Sequence, residues 1–244
     1  LNRKPNKNLP YVGASAFSHK GGLHVSAVQK DPKTYEHVDP KLTGNHRNII
    51  VSNQAGRSNI SSRLEQYGIK IDSKDKSVQK ILDKVKEREF SGYSYDGADA
   101  SFELLANRLL GKVPEYLKVE SYSVNVSKSD KILTKANVVF LIDGKKIECS
   151  GEGNGPVNAL DNAIRSNFKK VKKYYNFFLD LKLLDYKVRI LNTGTEATTR
   201  VLIESTDKDG ISWFTVGVST NIIEASFKAL IDSLDYKLFK EKAP

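Results

Sequence analysis

The chain has 244 residues, 39% hydrophobic and 28% charged, with a formal net charge of +10, one cysteine and no methionine. The lone Cys149 excludes an internal disulfide framework and any zinc site built on paired cysteines, and fits a reducing, cytoplasmic setting. No apolar run approaches the ~20 residues of a membrane span, and the polar, proline-broken start LNRKPNKNLP does not read as a signal peptide.

In chain order, three segments emerge. Residues 1–60 are rich in Gly, Asn, His and Pro and hold nine Lys/Arg against three Asp/Glu. Gly21-Gly22 precedes a helix expected over 23–30, which Pro32 stops. Residues 48–52 read as a short strand. Residues 61–115 hold ten charges of each sign and look helical. The expected helices run over 58–67, closed by Gly68, over 75–90 and over 98–110, closed by Gly111. In the second of these, Val78, Ile81, Leu82, Val85 and Phe90 form the apolar pattern.

Residues 116–244 carry twenty Lys/Arg against sixteen Asp/Glu and change character. Alternating runs predict strands over 119–126, 136–142, 145–150, 187–191, 198–205 and 212–218, with hairpin turns at Asp143-Gly144 and Asp209-Gly210. Helices are predicted over 156–168 and 221–234. The segment repeats itself: GEGNGPVNALDNAI from Gly151 and GVSTNIIEASFKAL from Gly217 each follow a hairpin and lead into a helix with one apolar face. The expected architecture is α+β. A mostly helical part (1–60 and 61–115) is followed by a domain (116–244) of two strand–strand–strand–helix repeats related by pseudo-two-fold symmetry. Each repeat has a half-buried sheet that needs cover.

The chemistry visible in single motifs is sparse. Gly151-Glu-Gly-Asn-Gly-Pro156 supplies a tight strand-to-helix turn whose backbone N–H groups suit a carboxylate, or simply start a helix. It is neither a Walker loop nor a dinucleotide fingerprint. His19, His24, His37 and His46 have no Cys or acidic pair at metal-ligand spacing, so no metal is expected in this chain. No nucleophile, base and orienting residue stand in a recognisable order. The basic excess, and Lys169, Lys170, Lys172 and Lys173 beside Tyr174 and Tyr175, leave a nucleic-acid-binding module as an alternative. A solvated helix end explains the same cluster.

Several longer motifs carry more. Residues 17–27, FSHKGGLHVSA, resemble the linker motif of the 2-isopropylmalate, homocitrate and citramalate synthase family. Residues 30–40 with Gly44-Asn45 and 52–59, residues 93–105, GNGPVNAL, DYKV at 185–188 and GVSTNIIEAS are similar to its citramalate branch. The resemblance implies a preceding TIM barrel that binds a divalent metal and condenses acetyl-CoA with a 2-oxo acid. In the citramalate branch that acid is pyruvate, and the pathway leads to isoleucine. The thioester methyl carbon is deprotonated and attacks a ketone polarised by the barrel's metal. The barrel's metal motif is absent here, and the chain starts at Leu1 without any Met. A piece of a longer protein, inactive alone, is therefore expected: the linker and a homodimeric regulatory domain.

The resemblance also implies roles for residues. His24 is similar to the linker histidine that reaches the partner subunit's active site. A tyrosine that assists it in some relatives falls near Arg47, a departure from the pattern. The effector pocket would be lined by Asn154, Val157 and Asn158 from the first glycine turn. Leu183, Tyr186 and Ile190 would come from the middle segment, Val201 from a strand, and Thr220 and Ile222 from the second turn. The expected effector is isoleucine, or leucine if the chain is the regulatory part of a 2-isopropylmalate synthase. Discrimination between them rests on about 1–3 kcal/mol.

Overall fold

The computed structural model describes residues 5–51, 55–128, 132–168 and 173–243. The chain divides into two compact units, with the break between Asp96 and Gly97. Lys169, Lys170 and Lys172 of the basic cluster, and positions 52–54, lie outside the described residues. Lys173 is described and pairs with Asp143 at 3.2 Å.

In the first unit, β1 (Ser18–His19) pairs in parallel with β2 (Asn48–Ile49). Between them run α1 (Gly22–Lys30) and two short 3-10 turns, Pro32–Thr34 and Pro40–Thr43. Each turn has a proline at its start and an aspartate, Asp31 or Asp39, accepting a backbone N–H as cap. After β2 come α2 (Arg57–Gln66) and α3 (Lys76–Phe90). Asn59 of α2 is fully buried. Its amide donates to the carbonyls of Lys20 and Ile50 and its Oδ1 accepts from the Gly56 N–H, so one side chain closes three loose backbone groups. Val78, Ile81, Leu82 and Val85 form the buried face of α3, but Phe90 is 96% exposed. It lies five positions beyond Val85, and at about 100° per residue that turns it well off the apolar stripe.

The second unit opens with α4 (Asp99–Leu109). The linker boundary expected after residue 115 groups this helix with α2 and α3. The structure instead packs it on the last helix and last strand of the second unit. Its amphipathic pattern specified a buried face but not the partner.

The two repeats then follow. β3 (Lys118–Lys128), β4 (Ile132–Ile142) and β5 (Lys145–Gly153) make an antiparallel sheet covered by α5 (Pro156–Asn167). After the four-residue α6 (Tyr175–Phe178), β6 (Lys182–Ile190), β7 (Thr199–Thr206) and β8 (Ser212–Ser219) make a second antiparallel sheet covered by α7 (Ile222–Lys240). The sequence prediction starts β6 five residues late and stops α7 six residues early. A tight turn joins β4 to β5: Asp143 and Gly144 both take positive φ, at 50° and 74°, the conformation a two-residue hairpin loop demands.

One apolar core joins both repeats. Phe140, Leu160, Ala163, Ile164 and Phe168 of the first meet Val201, Ile203, Phe227, Leu230 and Leu234 of the second within a single buried cluster. Tyr122 on β3 packs on Phe227 of α7 with ring centroids 4.7 Å apart. Burying each large side chain of this kind contributes about 1.5–3 kcal/mol. The helices sit unusually close to their sheets. A Cβ at Gly151 would lie 2.3 Å from the Ala163 nitrogen, and one at Gly217 would lie 2.0 Å from the Ala225 carbonyl oxygen. Both glycines are required by space.

Candidate functional site

The first unit holds the histidine of interest. α1 starts directly after β1, and this places His24 on the exposed side of its first turn while Val25 and Val28 turn inward. The His24 imidazole stacks on the ring of Tyr35, with centroids 4.1 Å apart and planes 21° from parallel. Tyr35 closes the 3-10 turn begun at Pro32, its N–H donating to the Pro32 carbonyl, and it remains half exposed. The sequence reading missed this residue. Arg47, near which the assisting tyrosine of some relatives falls, is committed to Glu36: its Nε and Nη2 donate to that carboxylate at 2.7 and 2.6 Å. The ring beside His24 belongs to Tyr35.

Glu36 is 7% exposed and also accepts from His19 Nε2 at 2.9 Å. The Arg47 hydrogen bonds hold its carboxyl below the usual carboxylate range against the opposing effect of burial. Two open clefts of about 340 and 360 Å³ lie in this unit, one around Tyr11, Phe17 and His37, the other around Gln29, Ser62 and Ile69. None of the residues expected at either site lines them.

In the second unit the expected effector residues fall into two groups. Leu183, Tyr186 and Ile190 stand on β6 opposite Ser205, Ile203 and Thr199 of β7, while Val201 stands opposite Val188. Cross-strand partners share a face, so these residues all lie on the side of the sheet that α7 covers. An irregularity between Leu183 and Asp185 puts Leu183 on that face too. Val201 is fully buried, Tyr186 is partly buried, and Leu183, Val188 and Ile190 are 37–67% exposed. The cover thins towards the end of the strand.

Thr220 and Ile222 flank Asn221 at the start of α7, and both are exposed. Ser226, one turn on, donates to the Ile222 carbonyl and accepts from the Tyr186 hydroxyl at 2.6 Å. Tyr186, Ile222 and the second turn are thus linked. Asn154, Val157 and Asn158 stand together at the first turn, where Asn158 Oδ1 accepts from the Asn154 N–H at 3.1 Å.

The two turns differ in chemistry. At α7, Asn221 Oδ1 accepts from Ile223 and Glu224, so the helix is capped by its own side chain. At α5 the cap is Gly155, with Pro156 following and no side-chain cap. The α5 terminus is therefore the better suited to an external carboxylate.

A partly buried hydrogen-bonded cluster ties α4 to α7. Arg108 donates to Asp232 at 2.8 Å and to Asp235 at 2.6 Å, and Ser101 bridges Asp232 Oδ2 to the Val216 N–H of β8. Burial pushes the Asp235 carboxyl up to about 7, outweighing the attraction of Arg108. Among the described residues no helix is long and apolar enough to cross a membrane.

Comparison with known proteins agrees with this division. Residues 96–238 match the LeuA allosteric (dimerisation) domain, and residues 11–91 match the homocitrate synthase post-HMGL domain-like family. The chain is 49% identical over 246 residues to an (R)-citramalate synthase of Geobacter sulfurreducens, a match spanning 99% of this chain and 46% of that protein. It is 48% identical over 247 residues to an (R)-citramalate synthase of Aquifex aeolicus, again 99% of this chain and 46% of the relative. It is 30% identical over 225 residues to a probable 2-isopropylmalate synthase of Methanopyrus kandleri, spanning 92% of this chain and 43% of the relative. The chain thus spans about half the length of the curated relatives it matches.

Proposed function

Because this chain belongs to the LeuA allosteric (dimerisation) domain family, we propose that it is the linker and regulatory portion of an (R)-citramalate synthase, an acyltransferase that joins acetyl-CoA to pyruvate. The observation that carries this reading is the 49% identity to a citramalate synthase along 99% of the chain, against 30% to a probable 2-isopropylmalate synthase. The metal and the substrates belong to a barrel domain that these residues do not contain, and in this reading the chain has no activity without it.

His24 is the residue of this chain assigned to the chemistry. Its exposed position lets it enter an active site on another domain, and the Tyr35 ring holds the imidazole in one plane. A fixed imidazole can hold or pass a proton beside the reacting carbonyl. The regulatory role falls to the second unit, which is read as a cytoplasmic homodimer binding isoleucine. Tyr186, Leu183, Ile190 and Val201 offer the side-chain socket, Thr220 and Ile222 flank it, and the uncapped α5 turn with Asn154, Val157 and Asn158 receives the carboxylate. The exposed apolar residues of β6, which pairs on one side only among the described residues, support a self-association surface. Effector binding inhibits only if its affinity differs between active and inhibited states.

An assay of CoA release from acetyl-CoA and pyruvate by the barrel-bearing enzyme tests the reading. Isoleucine is expected to inhibit, and His24→Ala to lower kcat. Turnover with 2-oxoisovalerate in place of pyruvate, with inhibition by leucine, would move the chain to the isopropylmalate branch.

A further inference from the structure

The geometry points to Glu36 as the positioning residue for the His24–Tyr35 pair, acting through a clamp on His19 and Arg47. The inference rests on the assignment of His24 above for its catalytic consequence, but the clamp stands on geometry alone.

Four links make a closed circuit. His19 is the last residue of β1, and α1 with His24 begins three residues later. Tyr35 stacks on His24, and Glu36 is the next residue in the chain. Glu36 Oε1 accepts from His19 Nε2 at 2.9 Å and closes the ring. Arg47 locks the carboxylate in place from the other strand: it immediately precedes β2 and grips both oxygens, Nε on Oε1 and Nη2 on Oε2. Because β1 and β2 are themselves paired, Glu36 is tied to both strands of one small sheet. The backbone supports the same arrangement, with the N–H groups of Tyr35 and Glu36 both donating to the Pro32 carbonyl.

The energetics argue for a positional role. A carboxylate buried to 7% exposure in a surface loop is costly to desolvate, and a buried ion cluster of this kind contributes little net stability compared with apolar packing. What it supplies is direction. Paired N–H donors from a planar guanidinium fix the carboxylate plane, and a carboxylate as sole acceptor requires the proton on His19 Nε2. The adjacent residue then has little freedom. Tyr35, itself half exposed and stacked on His24, gains its orientation from its neighbour.

The test uses proton NMR of the 244-residue chain, reading the ring signals of His24 through a pH titration. Stacking on Tyr35 shifts those signals upfield, and Tyr35→Leu gives the unstacked reference. In Glu36→Gln and in Arg47→Gln the His24 signals are expected to move most of the way to that reference. The methyl signals of the buried Ile60 and Leu64 should stay in place and report an intact unit. His24 signals that stay at their original position in both variants would overturn the proposal. Collapse of the Ile60 and Leu64 signals in both would overturn it as well, since the cluster would then serve the fold at large.

A second readout separates the clamp from the catalytic assignment. In the barrel-bearing enzyme, Glu36→Gln should lower kcat on the order of tenfold to a hundredfold with the KM for pyruvate unchanged, as expected for a misplaced group. If His24→Ala leaves kcat unchanged, the catalytic assignment falls while the NMR result still decides the clamp.

Discussion

The Tyr186 hydroxyl donates a 2.6 Å hydrogen bond to Ser226, tying the edge strand β6 to the start of α7. Ser226 donates in turn to the Ile222 carbonyl, so the phenol is oriented by a helix that carries two of the proposed effector residues beside its first turn. Tyr186→Phe keeps the ring and loses the anchor. A net contribution of about 0.5–1.5 kcal/mol for such a bond predicts an isoleucine Kd about twofold to tenfold weaker by calorimetry. Tyr186→Ala, which removes the wall itself, is expected to weaken binding further.

The repeat has a steric signature that can be tested without any ligand. Gly217→Ala would place a methyl 2.0 Å from the Ala225 carbonyl oxygen, and backbone cannot yield as a flexible side chain can. The expected cost is about 1–3 kcal/mol, read as a lower Tm of the second unit. Gly151→Ala, facing the Ala163 nitrogen at 2.3 Å, should behave alike. A substitution at Gly155, which has open space around it, should change the Tm little by comparison.

Stability should fall as pH rises from about 4 to 7. An unfolded aspartate releases its proton near pH 3.9, but burial holds the Asp235 carboxyl protonated in the folded chain up to about 7. Between those values the folded state carries the extra proton, so unfolding becomes easier as pH increases and the effect levels off above 7. Glu103, raised by burial while accepting from the Tyr236 hydroxyl, contributes in the same direction. Asp235→Asn should flatten the dependence, measured as Tm across pH 4–8.

The doubled architecture was legible because a period of 66 residues carries Gly151 to Gly217 and Ala163 to Ala229, and the second pair sits against the first in both copies. Helix faces were legible where the 3.6 period was clean, as at Val78, Ile81, Leu82 and Val85. The partner of a face was not. α4 reads like α2 and α3, yet Ser101 and Arg108 commit it to β8 and α7, contacts more than a hundred positions away in sequence. The His24–Tyr35 stack was invisible for a related reason. It depends on a single 3-10 turn at Pro32–Thr34 folding the chain back over α1, and eleven residues of spacing carry no periodic signal. At the proposed effector site the resemblance named Tyr186 but not Ser226, whose place at helical spacing from Ile222 reads as ordinary core.

The proposed function requires amino-acid recognition by the second unit, which parallel calorimetric titration of the chain with isoleucine, leucine and valine measures. Saturable binding tightest for isoleucine is the predicted result. Tightest binding of leucine, or no binding of any of the three by a folded chain, would contradict it.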